Sequence, residues 1–248
     1  MNEVVLETRS LTKSFGGLIA INSLDMVCES GEILGVIGPN GAGKTTLFNL
    51  ISGVFPPTKG VILFQGMRIE RKKMFERARL GIGRTFQVTR PFKELTCLEN
   101  IMVPYACHIY QRYTDLFRNY NQKEVVEHCL TLLEYVGLKD YAHIQAKHLP
   151  LGMQRRLEVG RALALAPSLL LLDEPFSGLS FEESYALERL LRSIKATGRT
   201  IMLIEHNMDI AMNLCDRLVV LHQGRKIAEG CPKEVKSHPA VISAYLGE

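Results

Sequence analysis

Residues Gly38–Thr46 read GPNGAGKTT, and the fold is decided by what surrounds them. Gly38, Gly43, Lys44 and Thr45 fill every fixed position of G-x-x-x-x-G-K-[ST]. Upstream, Glu32–Gly38 (EILGVIG) is a buried strand that runs straight into the glycine loop. Downstream, Lys44–Ser52 continues at helical spacing and stops at Gly53, a residue suited to a helix C-cap. Strand, glycine loop and helix in that order bind phosphate. The loop through Gly38, Pro39, Asn40, Gly41, Ala42 and Gly43 curls its peptide N–H groups around phosphate oxygens, and the helix start at Lys44, Thr45 and Thr46 adds its positive dipole end. Lys44 reaches the terminal phosphates and the Thr45 hydroxyl can ligate magnesium.

A second segment completes the chemistry. Leu169–Pro175 reads LLLLDEP, an apolar strand ending in two acids. An apolar strand ending in acids is usually only a strand end, but beside a phosphate loop Asp173 is placed to hold magnesium through water. Glu174 is placed to orient or deprotonate the attacking water. The long separation of Lys44 from Asp173, and the absence of an N-K-x-D guanine-reading motif, favour ATP over GTP.

Outward from these segments, the first thirty residues read as strands around a turn at Ser14–Gly17, and Val61–Gly66 as another strand. From Pro91 to Ala166 strand alternation gives way to helical patterns such as Lys123–Val136. Alternation of strand and helix resumes with Leu169–Asp173, a helix over Phe181–Ala196, a strand over Thr200–His206, a helix over Met208–Leu214 and a strand over Leu218–His222. The predicted fold class is α/β: a P-loop NTPase core with a mostly parallel sheet, an antiparallel β-subdomain, and an inserted α-helical subdomain. Residues 1–248 are read as one ATP-binding domain, with 1–90 and 167–248 as core and 91–166 as the helical subdomain.

Composition narrows the class. The chain has 30 Lys+Arg against 26 Asp+Glu, a net charge of +4 that is too mild to point to nucleic acid. The densest basic run, Arg68–Arg79, mixes in glutamates and reads as a solvated helix face. No signal peptide is expected from MNEVVLETRS, and the apolar stretch Ala162–Leu172 is too short to span a membrane. Cys28, Cys97, Cys107, Cys129, Cys215 and Cys231 lack paired spacing and are read as reduced thiols of a cytosolic protein.

Taken together, the residues resemble the nucleotide-binding subunits of ABC transporters along nearly the whole chain. The resemblance implies that Gln87, in GRTFQ, is the glutamine that contacts magnesium and the attacking water and senses the membrane partner. It implies that His206, in LIEHNMD, contacts the γ-phosphate, and that Phe15 stacks on adenine. Leu149–Gln154 (LPLGMQ) resembles the family's Leu-Ser-Gly-Gly-Gln signature. That signature binds the γ-phosphate held by the opposite subunit and retains Gly152 and Gln154 here, with Pro150 in place of the serine and Leu151 in place of a glycine. Ser180 stands where the family commonly has aspartate.

GIGRTFQ, LTCLENIMV, EHNMD and the tail AEGCPKEVKSHPAVISAYLGE further resemble the branched-chain amino acid importer group. The implied function is ATP hydrolysis coupled to transport of branched-chain amino acids or related small polar substrates. The implied cofactors are ATP and Mg2+. The implied partners are transmembrane permease subunits, a second ATP-binding subunit (a different chain in a heterodimer, or a second copy of this one in a homodimer) and, indirectly, a substrate-binding protein. The implied location is peripheral, on the cytoplasmic face of the plasma membrane. A soluble ABC-type ATPase acting on nucleic acid or protein assemblies is the alternative. It lacks support from a coiled-coil insertion, a second ATPase half or a basic patch. A small-molecule kinase would need lid arginines and an acceptor site.

Overall fold

A computed structural model describes residues 3–85, 91–109 and 122–246. One sheet is antiparallel: β1 (Val4–Phe15) and β2 (Leu18–Glu29) form a hairpin, β4 (Lys59–Phe64) lines the other side of β1, and β5 (Met67–Arg68) pairs with β4. The larger sheet holds β3 (Ile33–Ile37), β6 (Ile82–Arg84), β7 (Leu169–Asp173), β8 (Thr200–Ile204), β9 (Arg217–His222) and β10 (Arg225–Gly230). Its order is β10-β9-β3-β8-β7-β6, and every neighbouring pair is parallel except β9 with β10.

The helices follow from the same alternation. α1 (Lys44–Ser52) follows β3, and α2 (Met74–Leu80) precedes β6. α3 (Cys97–Ile109), α4 (Gln122–Tyr135) and α5 (Leu151–Leu163) lie between β6 and β7. α6 (Phe181–Ala196), α7 (Met208–Leu214), α8 (Pro232–Lys236) and α9 (Pro239–Leu246) complete the chain.

The central strands β3, β7 and β8 are buried at every position, which is why they read as continuous apolar runs. Their two-residue period still sorts them between two cores. Ile33, Ile37, Leu170, Leu172, Ile201 and Leu203 pack with Ile101, Leu133, Leu157, Leu187 and Leu214 from the helices. Leu34, Val36, Leu169, Leu171, Met202 and Ile204 pack with Leu47, Phe48 and Ile51 of α1 and with Leu6, Leu11 and Ile21 of the antiparallel sheet. Residues of α3 to α7 therefore pack on one face of the main sheet, and α1 with the antiparallel sheet packs on the other.

Register places the functional ends level. Val36 and Asp173 both pair with Ile204, and Arg84 pairs with Leu171. Because these strands are parallel, the segments after β3, β6, β7 and β8 emerge along one edge, where α/β sheets bind ligands.

The basic run differs from its reading as a solvated face. Only Met74–Leu80 is helical, and Arg77 is almost fully buried. Its guanidinium donates to the carbonyls of Leu50 and Ile51 at 2.5 and 2.8 Å, at the C-terminus of α1. A cation there offsets the negative end of the helix dipole and satisfies carbonyls left without helical partners.

Among the cysteines, burial pushes Cys97 and Cys129 to about 11 and Cys215 to about 12, and Cys28 well above its ordinary value. Cys107 and Cys231 are exposed. Iodoacetamide near neutral pH is therefore expected to label Cys107 and Cys231 in the native protein and spare the other four. Mass spectrometry of tryptic peptides reads this directly, and native labelling of Cys215 at the rate of Cys231 would contradict the packing.

Candidate active site

The loop after β3 is fixed by its neighbours. Gly38 has φ +145° and Gly43 φ +103°, and a Cβ added to either would sit 2.1 Å from the Leu221 carbonyl oxygen or 2.5 Å from that of Ala20. Only glycine fits both positions. The peptide N–H of Gly224 donates to Ala42 O at 3.0 Å and that of Asn22 to Gly224 O at 2.8 Å, so the β9–β10 turn and β2 brace the loop from outside. α1 starts with neither an acidic residue nor a side-chain cap, leaving its first N–H groups for an anion.

Lys44 folds back over this loop. Its Nζ donates to Gly38 O at 2.6 Å and Pro39 O at 3.0 Å. Burial pulls the ammonium below the usual lysine value, while the carboxylates of Glu174 and Asp173 work against that shift. The surrounding cleft measures about 620 Å3 and is lined by Asn40, Gly41, Ala42, Gly43, Lys44, Thr45, Thr46 and Glu174, with Phe15, Leu18, Ile19, Ala20 and Gln223 on its outer side. Phe15 lies at the end of β1, edge-on to Phe55 with ring centroids 5.3 Å apart, and Lys13 Nζ stands 5.0 Å from its ring centre.

The acid pair ends β7, with β8 lying between it and β3. Asp173 is buried, and its Oδ1 accepts no hydrogen bond among the described residues. Burial raises its pKa, opposed first by the Arg84 guanidinium, whose Nη2 lies 3.3 Å from Oδ2. Glu174 adopts φ +48°, a left-handed conformation costing about 1–3 kcal/mol outside glycine. Its N–H donates to Ile204 O at 3.0 Å, and its Oε1 lies 3.3 Å from Nδ1 of His206. Lys44, Asp173, Glu174 and His206 therefore gather at one end of the sheet. Gln87 lies outside the described residues.

Gly152 and Gln154 stand apart from this cleft, at the start of α5. The Gly152 N–H donates to Glu183 Oε1 at 3.1 Å, and Gln154 Nε2 turns back to Leu149 O at 2.8 Å. Counted from Leu149, the fifth residue of the signature-like stretch is Met153, so Gln154 sits one position beyond the glutamine of a five-residue signature. Pro150 is the N-cap of α5 and makes no side-chain cap bond. Ser180 caps α6, accepting from Glu183 N at 3.2 Å while Glu183 Oε2 accepts from Ser180 N at 2.9 Å. Serine and aspartate are comparable N-caps, so this substitution leaves the helix start intact.

Three features escaped the sequence reading. Leu18–Ala20 and Gln223 line the cleft from hairpin tips that carry no motif. Glu205 is buried beneath the histidine, and its Oε2 accepts from the N–H groups of His206 at 3.1 Å and Asn207 at 3.2 Å. Burial raises the Glu205 pKa against these bonds. A charged residue closing the apolar run of β8 was the available signal. The third is Arg84, whose partners lie on α1 and β7.

A glycine loop between β3 and α1, facing an acid pair on a nearby parallel strand, defines a P-loop NTPase. The ABC transporter family model matches residues 21–177, and that of the branched-chain amino acid ATP-binding cassette transporters matches residues 225–248. The chain is 39% identical over 255 residues to the high-affinity branched-chain amino acid transport ATP-binding protein BraF of Pseudomonas aeruginosa. It is 40% identical over 257 residues to the LivG protein of the same description from Escherichia coli K12, and both alignments cover 100% of each chain. A crystal structure of the ADP conformation of an ATP-binding cassette of an ABC transporter superposes with a TM-score of 0.88 at 34% identity, covering 99% of both chains. A nucleotide-free cassette superposes with a TM-score of 0.87 at 33% identity, covering 99% of this chain and 100% of the other. The chain belongs to the ATP-binding subunits of ABC transporters, and it is an ATPase of that family.

Proposed function

We propose that this chain powers an importer of branched-chain amino acids or related small polar substrates, working with permease subunits at the cytoplasmic face of the plasma membrane. The observation that carries the catalytic part is the 3.3 Å approach of Glu174 to His206 beside the Lys44 loop. Lys44 and the first N–H groups of α1 neutralise the terminal phosphates of ATP, and Phe15 meets the adenine at the outer end of the cleft. Glu174 takes a proton from the attacking water and His206 contacts the γ-phosphate from the segment after β8. Thr45 and Asp173 suit magnesium, because a hydroxyl and a buried carboxylate oxygen without a hydrogen bond among the described residues are both oxygen donors. Bound magnesium would neutralise charge building on the phosphates.

The substrate class rests on the full-length likeness to BraF and LivG and on the match at residues 225–248. No helix among the described residues is long and apolar enough to cross a membrane, so the membrane role is assigned to partners. A groove of about 160 Å3 between β6, α3 and α5, lined by Arg84, Thr85, Pro104 and Arg161, supports a permease contact; Gln87 follows Thr85 by two positions in the chain. α5 contributes to this groove and also begins at the signature-like stretch.

Pro150 and Ser180 set this chain's contribution to a partner's ATP. Without the signature serine, α5 offers only N–H groups and its dipole end to that phosphate, and the Gly152 N–H is already taken by Glu183 in cis. The chain is therefore expected to work best beside a related but different ATPase subunit. Purified alone, it should hydrolyse ATP slowly and dimerise weakly. Addition of the cognate second subunit should raise both, and Pro150→Ser should partly rescue the lone chain. Full activity of the lone chain, unchanged by either, would remove the asymmetry from this account.

A further inference from the structure

β6 ends on a side chain that has no part in the ATP chemistry above, Arg84. Arg84 Nη1 donates to Asn49 Oδ1 and to Ser52 Oγ, both at 2.7 Å, and Nη2 donates to Asp173 Oδ2 at 3.3 Å. The Arg84 and Asp173 side chains are only 10% and 2% exposed. Asn49 and Ser52 lie one turn apart on α1, so they present their acceptors on the same face. The helix that carries Lys44 and Thr45 thus fixes a guanidinium that grips the carboxylate ending β7. A planar fork can serve both partners at once, which a point-charge ammonium cannot do equally well. The grip falls on Oδ2 and leaves the buried Oδ1 without a hydrogen bond among the described residues.

We propose that Arg84 is a positioning residue for the divalent cation, holding Asp173 so that Oδ1 faces the metal and tying that carboxylate to the phosphate-loop helix. The inference rests on the magnesium site proposed above. Repulsion between guanidinium and cation opposes it. That repulsion is offset by the carboxylate between them in the charge balance and by the phosphates that accompany the metal. Orientation wins because a buried metal ligand without an outer partner has no fixed rotamer, and such partners are worth about tenfold to a hundredfold in metal affinity.

The test is Mn2+ binding to the full chain with ATPγS, followed by electron paramagnetic resonance, beside metal-free binding of a fluorescent ATP analogue. Arg84→Gln is expected to raise the half-saturating Mn2+ concentration about tenfold while metal-free nucleotide affinity stays within about twofold. Asn49→Ala, which loosens the guanidinium without removing its charge, should raise it about threefold, and it carries the test alone if Arg84→Gln fails to fold. An unchanged or lowered Mn2+ requirement, or an equal loss of metal-free nucleotide affinity, overturns the role of Arg84. Asp173→Asn separates the two claims. If it leaves Mn2+ binding intact, the magnesium site and the Arg84 role fall together. If it weakens Mn2+ binding and the Arg84 variant does not, only the Arg84 role falls.

Discussion

Lys44→Ala is expected to abolish measurable ATP turnover while the protein stays folded. Removing one preorganised charge from a phosphoryl-transfer site costs about 3 kcal/mol, or about a hundredfold in rate, and Lys44 is the cation aimed at the terminal phosphates. The substitution also removes its two hydrogen bonds to Gly38 and Pro39. The loop keeps its shape without them, because Gly224 still holds Ala42 and the bond from Ala42 N to Pro39 O remains. The buried ammonium is itself held below the usual lysine value, so its replacement by a methyl group relieves a desolvation cost. Circular dichroism and a thermal melt should match the parent, while steady-state phosphate release falls to background. A folded Lys44→Ala protein with near-parent turnover would sink the assignment of the loop.

Glu174→Gln should separate binding from chemistry. The amide keeps the size of the carboxylate and can still hydrogen-bond water and His206, but it cannot take a proton. General-base contributions are typically about 10² to 10⁴-fold, so hydrolysis should fall by that order while ATP affinity persists. The left-handed backbone at this position is no worse for glutamine than for glutamate, so stability should change little. With the cognate second subunit present, ATP should then accumulate in a closed dimer, visible by gel filtration with ATP and lost with ADP. If the variant turns over ATP at the parent rate, Glu174 is not the base, and His206, 3.3 Å away, is the next group to test.

Much of the frame was legible because local signals and tertiary structure agree. α1, α6, α7 and β7 begin and end at the residues where their patterns do. In α1 the glycine before and the glycine after both adopt positive φ, so the boundaries are written in residue types that only those conformations favour. The phosphate loop and the acid pair were legible for the same reason: each is a contiguous stretch whose chemistry needs those residues in that order. What escaped depends on partners distant in the chain. Arg77 looked like one more surface cation until α1 brought its C-terminal carbonyls against it. Arg84 bonds to residues on α1 and β7 that no local pattern links to it. Glu183 carries two tasks, capping α6 and holding the start of α5, and only the first has a sequence signature. Gln154 shows the converse: a glutamine one position beyond that of the motif was read as the motif's own, while its side chain serves the local turn.

The most direct test of the central claim is ATP hydrolysis by the complete transporter. Both ATPase subunits and the permeases are reconstituted in proteoliposomes with the binding protein and a branched-chain amino acid such as leucine. Hydrolysis and uptake are measured together with the parent chain and with Glu174→Gln in this subunit alone. The account predicts that substrate-loaded binding protein stimulates hydrolysis and drives uptake, and that Glu174→Gln in this chain collapses both. Parent-level hydrolysis and uptake with the Glu174→Gln chain in place would contradict it.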